Sequence, residues 1–448
     1  MMSADAGDSS ASFGQLTVRE VPRAQLLARR YPAVLPNQRE LLIFISDIHL
    51  TEHTAPVAVP RDALFERFWV RIEAARGEQP AHLVFVGDLF DIVRSPSWFA
   101  TLHRPYHLPT DDVCEVVDTI VERIIANERP FFDAIRKRVE QGALKVSYVL
   151  GNHDRLLAFA PAARARVWKA LTGETRTAAN APDFPDQMVF AQHAVLAYHG
   201  NQADFVCNDD SGEGNLGDAI GSELIVRFPE VLSERLGEPL PELDEIDDVR
   251  PIYAVPSWVR HFGARRGMMR VVGKTWTELV EEFLENPFVK DWMHGHSGKG
   301  FNPARQLQLL LQLSTGRIMR KTSDHRLARV FTHLQQFFDG RFAQHGADLL
   351  QTKENKGLRY VINGHSHFAS MVPLGLLDGQ PACYFNTGSW RTVHQMGRLL
   401  RGRPAFLKYE SMSYVVFFPD PDAMGRDYEW WNGVLVPVTY TQPALAQS

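Results

Sequence analysis

Leu83-Val84-Phe85-Val86-Gly87-Asp88-Leu89-Phe90-Asp91 is the stretch on which the fold turns. Its first four residues are an apolar run, and the remainder carries two carboxylates. A run of that length, apolar throughout, fits a strand covered on both faces; a half-exposed strand would alternate. The pattern recurs on either side. Leu41 to Ile45 ends at Ser46-Asp47-Ile48-His49, and Val146 to Leu150 ends at Gly151-Asn152-His153-Asp154. Between the first two runs, Leu64, Phe65, Phe68, Trp69 and Ile72 recur at helical spacing within Arg61 to Arg76. Between the second and third, the stretch from Asp111 to Gln141 is helical in pattern and broken at Pro130. Strand, helix, strand, helix, strand reads as successive crossover units of an α/β fold. Ligand sites in such sheets form beyond the carboxyl ends of strands. The Asp, His and Asn side chains stand there.

Further along, Val189 to Phe190 and Val195 to Tyr198 read as a hairpin ending at His199-Gly200. Arg359 to Ile362 predicts a strand running into Gly364-His365-Ser366-His367. Ala382 to Phe385 and Tyr414 to Phe418 predict later strands, with Asn386-Thr387-Gly388-Ser389 as a turn. The long gap between His199 and His365 is helical in pattern over Leu216 to Leu236, Trp276 to Trp292, Ala304 to Leu313 and Leu327 to Phe342. The expected organisation is a layered β-sheet core flanked by helices, built from residues 37–204 and 356–440. A helical insertion or cap covers 205–355, and flexible tails cover 1–36 and 441–448. The insertion's charge is polarised: acids dominate from Asp204 to Asp248, whereas Arg250 to Lys274 and Lys299 to Lys321 carry basic residues and no acid.

The chain has 448 residues, 45% hydrophobic and 23% charged, ordinary values for a globular protein. Its formal net charge of -5 argues against a general nucleic-acid coat without excluding a local basic site. Cys114, Cys207 and Cys383 are far apart and form no C-x-x-C pair, which fits a reducing compartment. The opening Met1 to Gly14 has neither the basic nor the apolar region of a secretory signal. No apolar stretch approaches the roughly 20 residues of a membrane helix. A cytoplasmic protein is the expectation, with peripheral membrane contact left open.

Five ordered segments, Asp47-Ile48-His49, Gly87-Asp88-Leu89-Phe90-Asp91, Gly151-Asn152-His153-Asp154, His199-Gly200 and Gly364-His365-Ser366-His367, together resemble the calcineurin-like metallophosphoesterase family. The resemblance covers residues 38–205 and 356–420. It implies two-metal hydrolysis of a phosphoester: a phosphodiester, phosphomonoester or pyrophosphate. It implies Asp47, His49 and His367 as ligands of one metal, Asp88 as the bridging carboxylate, and Asn152, His199 and His365 as ligands of the other. It implies His153 as the histidine that meets the phosphate and protonates the leaving oxygen, and Asp91 as the carboxylate that orients it. Two cations about 3.5–4 Å apart can activate a water and clamp phosphate oxygens. Mixed carboxylate and imidazole ligands suit manganese first, with iron, zinc or cobalt as alternatives, over calcium. The Asp-Ile-His-Leu and Gly-Asp-Leu-Phe-Asp wording is similar to the bacterial branch that includes UDP-2,3-diacylglucosamine hydrolase. That enzyme commonly has Arg where His153 stands, and its insertion is shorter.

Other readings compete. Asp and Asn are common turn residues after strands, so each motif alone is weak; their joint order carries the reading. His193 precedes His199 by six residues and is the rival ligand, but His199 closes an apolar run. His294-Gly295-His296-Ser297 imitates the last motif yet follows a helical pattern and reads as a loop. Gly273-Lys274-Thr275 lacks the earlier glycine of a P-loop, where Met268 stands. Arg155 and Arg391 are phosphate-contact candidates or ordinary salt-bridge formers. The basic stretches read as a solvated face, an anion-collecting cap or a contact for anionic lipid. The expected substrate is a phosphorylated small molecule or a lipid-linked one, with nucleic acid as the alternative. A non-catalytic scaffold on the same fold and a nuclease of the same family are the competing functions.

Overall fold

The computed structural model describes residues 33–34, 40–52, 63–208, 214–296, 303–315, 340–397, 405–420, 425–434 and 439–441. In chain order the strands are β1 (Ala33–Val34), β2 (Leu41–Ile45), β3 (Ala81–Val86), β4 (Leu144–Val149), β5 (Gln187–Phe190), β6 (Val195–Tyr198) and β7 (Val249–Arg250). They continue with β8 (Tyr360–Asn363), β9 (Ser370–Leu377), β10 (Gln380–Asn386), β11 (Thr392–Gly397), β12 (Ala405–Phe417), β13 (Tyr428–Val434) and β14 (Thr439–Thr441).

The continuous apolar runs form strands with both faces covered. All five residues of β2 are buried, but alternate side chains go to different cores. Leu41, Ile43 and Ile45 join a cluster with Phe68, Trp69, Ile120 and Phe132 from the helices Ala63–Arg76, Asp111–Asn127 and Arg129–Glu140. Leu42 and Phe44 join a second cluster that takes in Phe190, Val195, Ile362, Phe385 and Phe417. That second cluster is the interior between two sheets. One sheet runs in the order β4-β3-β2-β12-β11-β7, with β13 and β14 also paired to β12; the other runs β1-β5-β6-β8-β10-β9. Within the first, β2, β3 and β4 are parallel, Ile43 opposite Leu83 and Leu83 opposite Val146. The helix Arg341–Leu350 covers the outer face of the other sheet, where Ala343 and Leu350 pack with Leu196 and Tyr198. The fold is thus α/β, two packed sheets flanked by helices.

Local chemistry explains the helix boundaries. Thr110 caps Asp111–Asn127, its side chain accepting from Val113 N at 3.4 Å, and Asp111 and Asp112 sit in the positive first turn. The break comes at Glu128, because Pro130 fits the first turn of the following helix and not the interior of a continuous one. Leu216–Ile220, a six-residue π segment Gly221–Val226, and Arg227–Leu236 run on without interruption.

The helices between β6 and β8 share a core of their own. Phe228, Trp276, Leu279, Phe283 and Leu310 pack with Met396 of β11 and Phe406 of β12. The same region contributes β7, which pairs in parallel with β11, Gln395 opposite Arg250. Strands β9, β11 and β13 lie beyond those expected from sequence. Ala33–Val34 pairs with Met188 and Val189, inside the stretch expected as a tail. Thr441, in the other expected tail, ends β14; the rest of both expected tails, and most of the expected helix from Leu327 to Phe342, lie outside the described residues. His294 belongs to the last turn of the helix Pro287–Gly295, which corrects the expectation of a loop there. No described helix is long and apolar enough to cross a membrane.

Phe44 is fully buried between the sheets, its ring edge-on to Phe190 at 5.4 Å and to Phe417 at 5.9 Å. Phe44→Ala removes a ring that touches both sheets. Its expected cost is about 3–5 kcal/mol, read as a lowered midpoint in urea denaturation; a change within error would mean that the sheets do not depend on this contact.

Candidate metal centre

Five loops at strand ends of the two sheets meet. Asp47 and His49 follow β2, Asp88 follows β3, Asn152 and His153 follow β4, His199 follows β6, and His365 and His367 follow β8. Backbone hydrogen bonds lace them together. Asp47 N donates to Gly87 O at 3.2 Å, His49 N to Asp88 O at 2.9 Å, and Gly364 N to His199 O at 2.9 Å. Asp47, His49, Asp88, His365 and His367 all have left-handed φ, between 51° and 68°. Such conformations cost of order 1–3 kcal/mol each for residues with a Cβ and gather at functional sites.

Glycines leave the room. A Cβ on Gly87 would run into the His199 ring, one on Gly151 into the Asp88 carboxylate, and one on Gly364 into the Asp47 carboxylate and Ser46 hydroxyl. Thr387, in the turn after β10, holds the last loop by donating to Asn363 O from N at 2.8 Å and from Oγ1 at 3.0 Å.

The side chains form two adjoining sets. In one, His49 Nε2 lies 3.7 Å from Asp47 Oδ1 and 3.2 Å from His367 Nε2, and His367 Nε2 lies 3.5 Å from Asp47 Oδ1. In the other, His199 Nε2 lies 3.1 Å from Asn152 Oδ1, which is 2.9 Å from His365 Nδ1. Asp88 Oδ2 joins them, 3.6 Å from His49 Nε2 and 3.1 Å from His199 Nε2. The structure therefore brings together all seven residues that the resemblance implied as ligands. His193 is at the hairpin turn, its ring against Phe417, and not in this group.

These donor atoms suit cations. His199 Nδ1 donates to Val86 O at 2.8 Å, and His49 Nδ1 to Asp91 Oδ2 at 3.1 Å, so each presents an Nε2 lone pair to the centre. Asp88 Oδ2 is buried and accepts no hydrogen bond. Buried acceptors facing acceptors need positive charge between them. The titration directions agree. Burial lowers His49; burial, then Arg250 and His49, hold His367 well below its usual range, so both stay neutral, as ligands must. Burial would raise Asp88, but His199, His153 and His49 hold it far below a normal carboxylate. Burial would lower His199, but Asp88 and Asp47 raise it to about 10; that pull on a proton is equally a pull on a metal ion.

Asp91 is the hub beside this centre. Its Oδ1 accepts from His153 Nδ1 at 2.7 Å, and its Oδ2 from His49 Nδ1 and, at 2.6 Å, from Arg94 Nε. Burial opposes its charge, but Arg94 and His153 keep it ionised, well below the usual range. Burial likewise opposes protonation of His153, yet Asp91 and Asp88 raise it.

Three supporting residues escaped the sequence reading. Asp204 Oδ2 accepts from His365 Nε2 at 3.0 Å, leaving Nδ1 toward Asn152. Asp154 accepts from Leu89 N at 3.1 Å and Gly151 N at 2.6 Å, tying two ligand loops; burial and then Asp88 push its carboxyl up to about 7. Arg94 anchors Asp91 and reaches Asp247 O at 3.1 Å. Asp154 closes the Gly151-Asn152-His153-Asp154 motif and Arg94 stands three residues beyond Asp91, the only hints in sequence. Of the two arginines singled out earlier, Arg155 is engaged by Asp218 at 2.7 Å and Pro105 O at 2.8 Å. Arg391 donates to Asp248 at 2.8 Å, while its Nη1 is buried without a hydrogen-bond partner.

Carboxylates and imidazoles gathered on the loops of a two-sheet sandwich form a candidate site for divalent cations. Against known families, residues 41–300 match the calcineurin-like phosphoesterase family. The chain belongs to that family. Among curated proteins none matches it. His365 and His367 lie beyond the matched residues, and strand β8 brings them in.

Gly364→Ala would force the Asp47 carboxylate aside. The expected outcome is fewer bound divalent ions per chain after dialysis, measured by atomic absorption, with the far-ultraviolet circular dichroism of the parent. Asp204→Asn keeps the size but loses the charge that fixes His365, and should weaken metal binding by about 10–100-fold in a manganese titration. An unchanged titration would show His365 to be positioned without it.

Proposed function

We propose that this protein hydrolyses a phosphoester with two divalent ions, manganese first among them. Asp47, His49 and His367 would hold one, Asn152, His199 and His365 the other, and Asp88 would bridge. The observation that carries this is the position of Asp88 Oδ2, within 3.6 Å of the facing nitrogen in each set. Bound there, the ions would supply Lewis-acid activation of water and neutralise phosphate charge. The protein's own share falls to His153 and Asp91. Asp91 fixes His153 through Nδ1, and the raised affinity of His153 for a proton suits it to protonate the leaving oxygen.

A cavity of about 470 Å³ opens from the centre, lined on one side by Asp88, Asn152, His153 and His365. Phe205, Val206, Ile220, Ile225, Ile252 and Leu307 line it elsewhere. Residues between β6 and β8 thus act as a cap over the core. An apolar chamber beside a charged centre favours a phosphorylated small molecule or lipid-linked substrate with an apolar group, over nucleic acid, whose binding surfaces are broad and basic. Three unpaired thiols favour a cytoplasmic setting.

The test is hydrolysis of bis(p-nitrophenyl) phosphate beside p-nitrophenyl phosphate, using metal-stripped protein with manganese restored. Turnover should require manganese. Asp88→Asn should abolish it and weaken metal binding. His153→Ala should retain the ions but lose about 10²–10⁴-fold in rate. Preference for the diester or the monoester separates phosphodiesterase from phosphatase. Full activity in Asp88→Asn would sink the proposal.

A further inference from the structure

Arg250 is the last residue of β7, the two-residue strand that the segment between β6 and β8 adds to the core sheet beside β11. The residue is 6% exposed, and it lines the cavity together with His367 and His153. Its Nη1 donates to two carbonyls, Asp247 O at 2.7 Å and Val249 O at 2.9 Å. Those bonds lock the guanidinium plane but do not balance its charge. The nearby acids are engaged by neighbours: Asp91 and Asp247 by Arg94, and Asp248 by Arg391. Among the described residues, no carboxylate forms an ion pair with Arg250.

The other arm, Nη2, faces His367 Nε2 at 3.5 Å. That nitrogen also lies 3.5 Å from Asp47 Oδ1 and 3.2 Å from His49 Nε2. On the proposed function, its lone pair belongs to a metal ion. Arg250 then has no acceptor for Nη2. A buried guanidinium with an unserved donor and no carboxylate in ion-pair contact is costly unless an anion arrives. Planar guanidinium groups suit phosphate oxygens.

We infer that Arg250 is a substrate-binding residue, which donates from Nη2 to a non-bridging oxygen of the phosphoryl group at the metal centre. This inference rests on the proposed function for the placement of that phosphate. It gives the segment between β6 and β8 a direct part in recognition: Arg250 meets the phosphate, while Pro251, Ile252 and Tyr253, which follow it along the cavity wall, meet the rest of the substrate. The preferred ligand is one whose phosphate keeps a free non-bridging oxygen beside an apolar group.

The experiment measures inorganic phosphate binding by titration calorimetry on manganese-loaded full-length protein, Arg250→Ala and Arg250→Lys. Bound manganese per chain and circular dichroism are recorded on each. The expected result is affinity lower by roughly ten- to a hundredfold in Arg250→Ala, partly restored in Arg250→Lys, with manganese content unchanged. Phosphate affinity equal to wild type in Arg250→Ala would overturn the inference. So would loss of manganese from both variants, since Arg250 would then be a prop for His367, and so would a wild-type protein that binds manganese but no phosphate. Phosphate binding does not depend on turnover. Wild-type protein that binds phosphate through Arg250 yet leaves nitrophenyl esters intact would remove the hydrolase reading alone.

Discussion

One constraint governs this molecule: Asp88 must be held, ionised and buried, among nitrogen and oxygen lone pairs that repel it. Water would relieve that crowding, but the fold leaves these side chains almost no exposed surface. Asp88 is 1% exposed, and Asp47, His49 and His199 are fully buried. A loop could not hold such a group alone, because an uncompensated cluster of acceptors would spread apart. The two sheets supply the restraint. Each candidate ligand stands within four residues of the end of a strand whose side chains are locked in one of the cores. Five of the seven sit in left-handed backbone conformations that unsupported chain would leave.

That restraint explains why the cluster of candidate ligands was legible in sequence. A buried strand must be an apolar run, and a chain that turns within a residue or two of it needs Gly, Asp or Asn. Gly87, Gly151 and Gly364 each give way to a ligand's side chain, so the spacing of glycine to ligand is set by contact distance. Leu41 to Ile45 and Leu83 to Val86 announced β2 and β3 for the same reason. What the runs could not announce was the division into two sheets. The alternation within β2, with Leu42 and Phe44 on one side and Ile43 on the other, is invisible when every position is apolar.

The elements that went unread share a different physics. Strand β9 is an exposed edge containing Pro373 and Gly375, and its Leu376 is 71% exposed, so neither burial nor propensity marks it. Strand β11 buries His394 and Thr392, polar residues that suggest a loop. Asp204 lies in a stretch without periodicity, and its partner His365 is far along the chain. Strand β7 is two residues long and exists only because β11 pairs with it. No local pattern encodes a contact whose two halves are brought together by the whole fold.

The polarised charge of the segment between β6 and β8 takes on meaning from this geometry. Asp247 and Asp248 end the acidic run, and Arg250 opens the basic one. The junction is where the segment enters the core sheet. There Asp247 engages Arg94, which holds Asp91, which holds both His49 and His153. Asp248 engages Arg391, in the chain just beyond the turn that fastens the last ligand loop. A segment that looks like an addition to the core is therefore joined to the orientation of the His49 and His153 rings through buried, charge-assisted bonds. Such bonds are short-ranged and directional, so the segment cannot shift on the core without disturbing the centre. Through Asp247, Asp248 and β7, the wall that this segment gives the cavity and the side chains of the core centre are held in one framework.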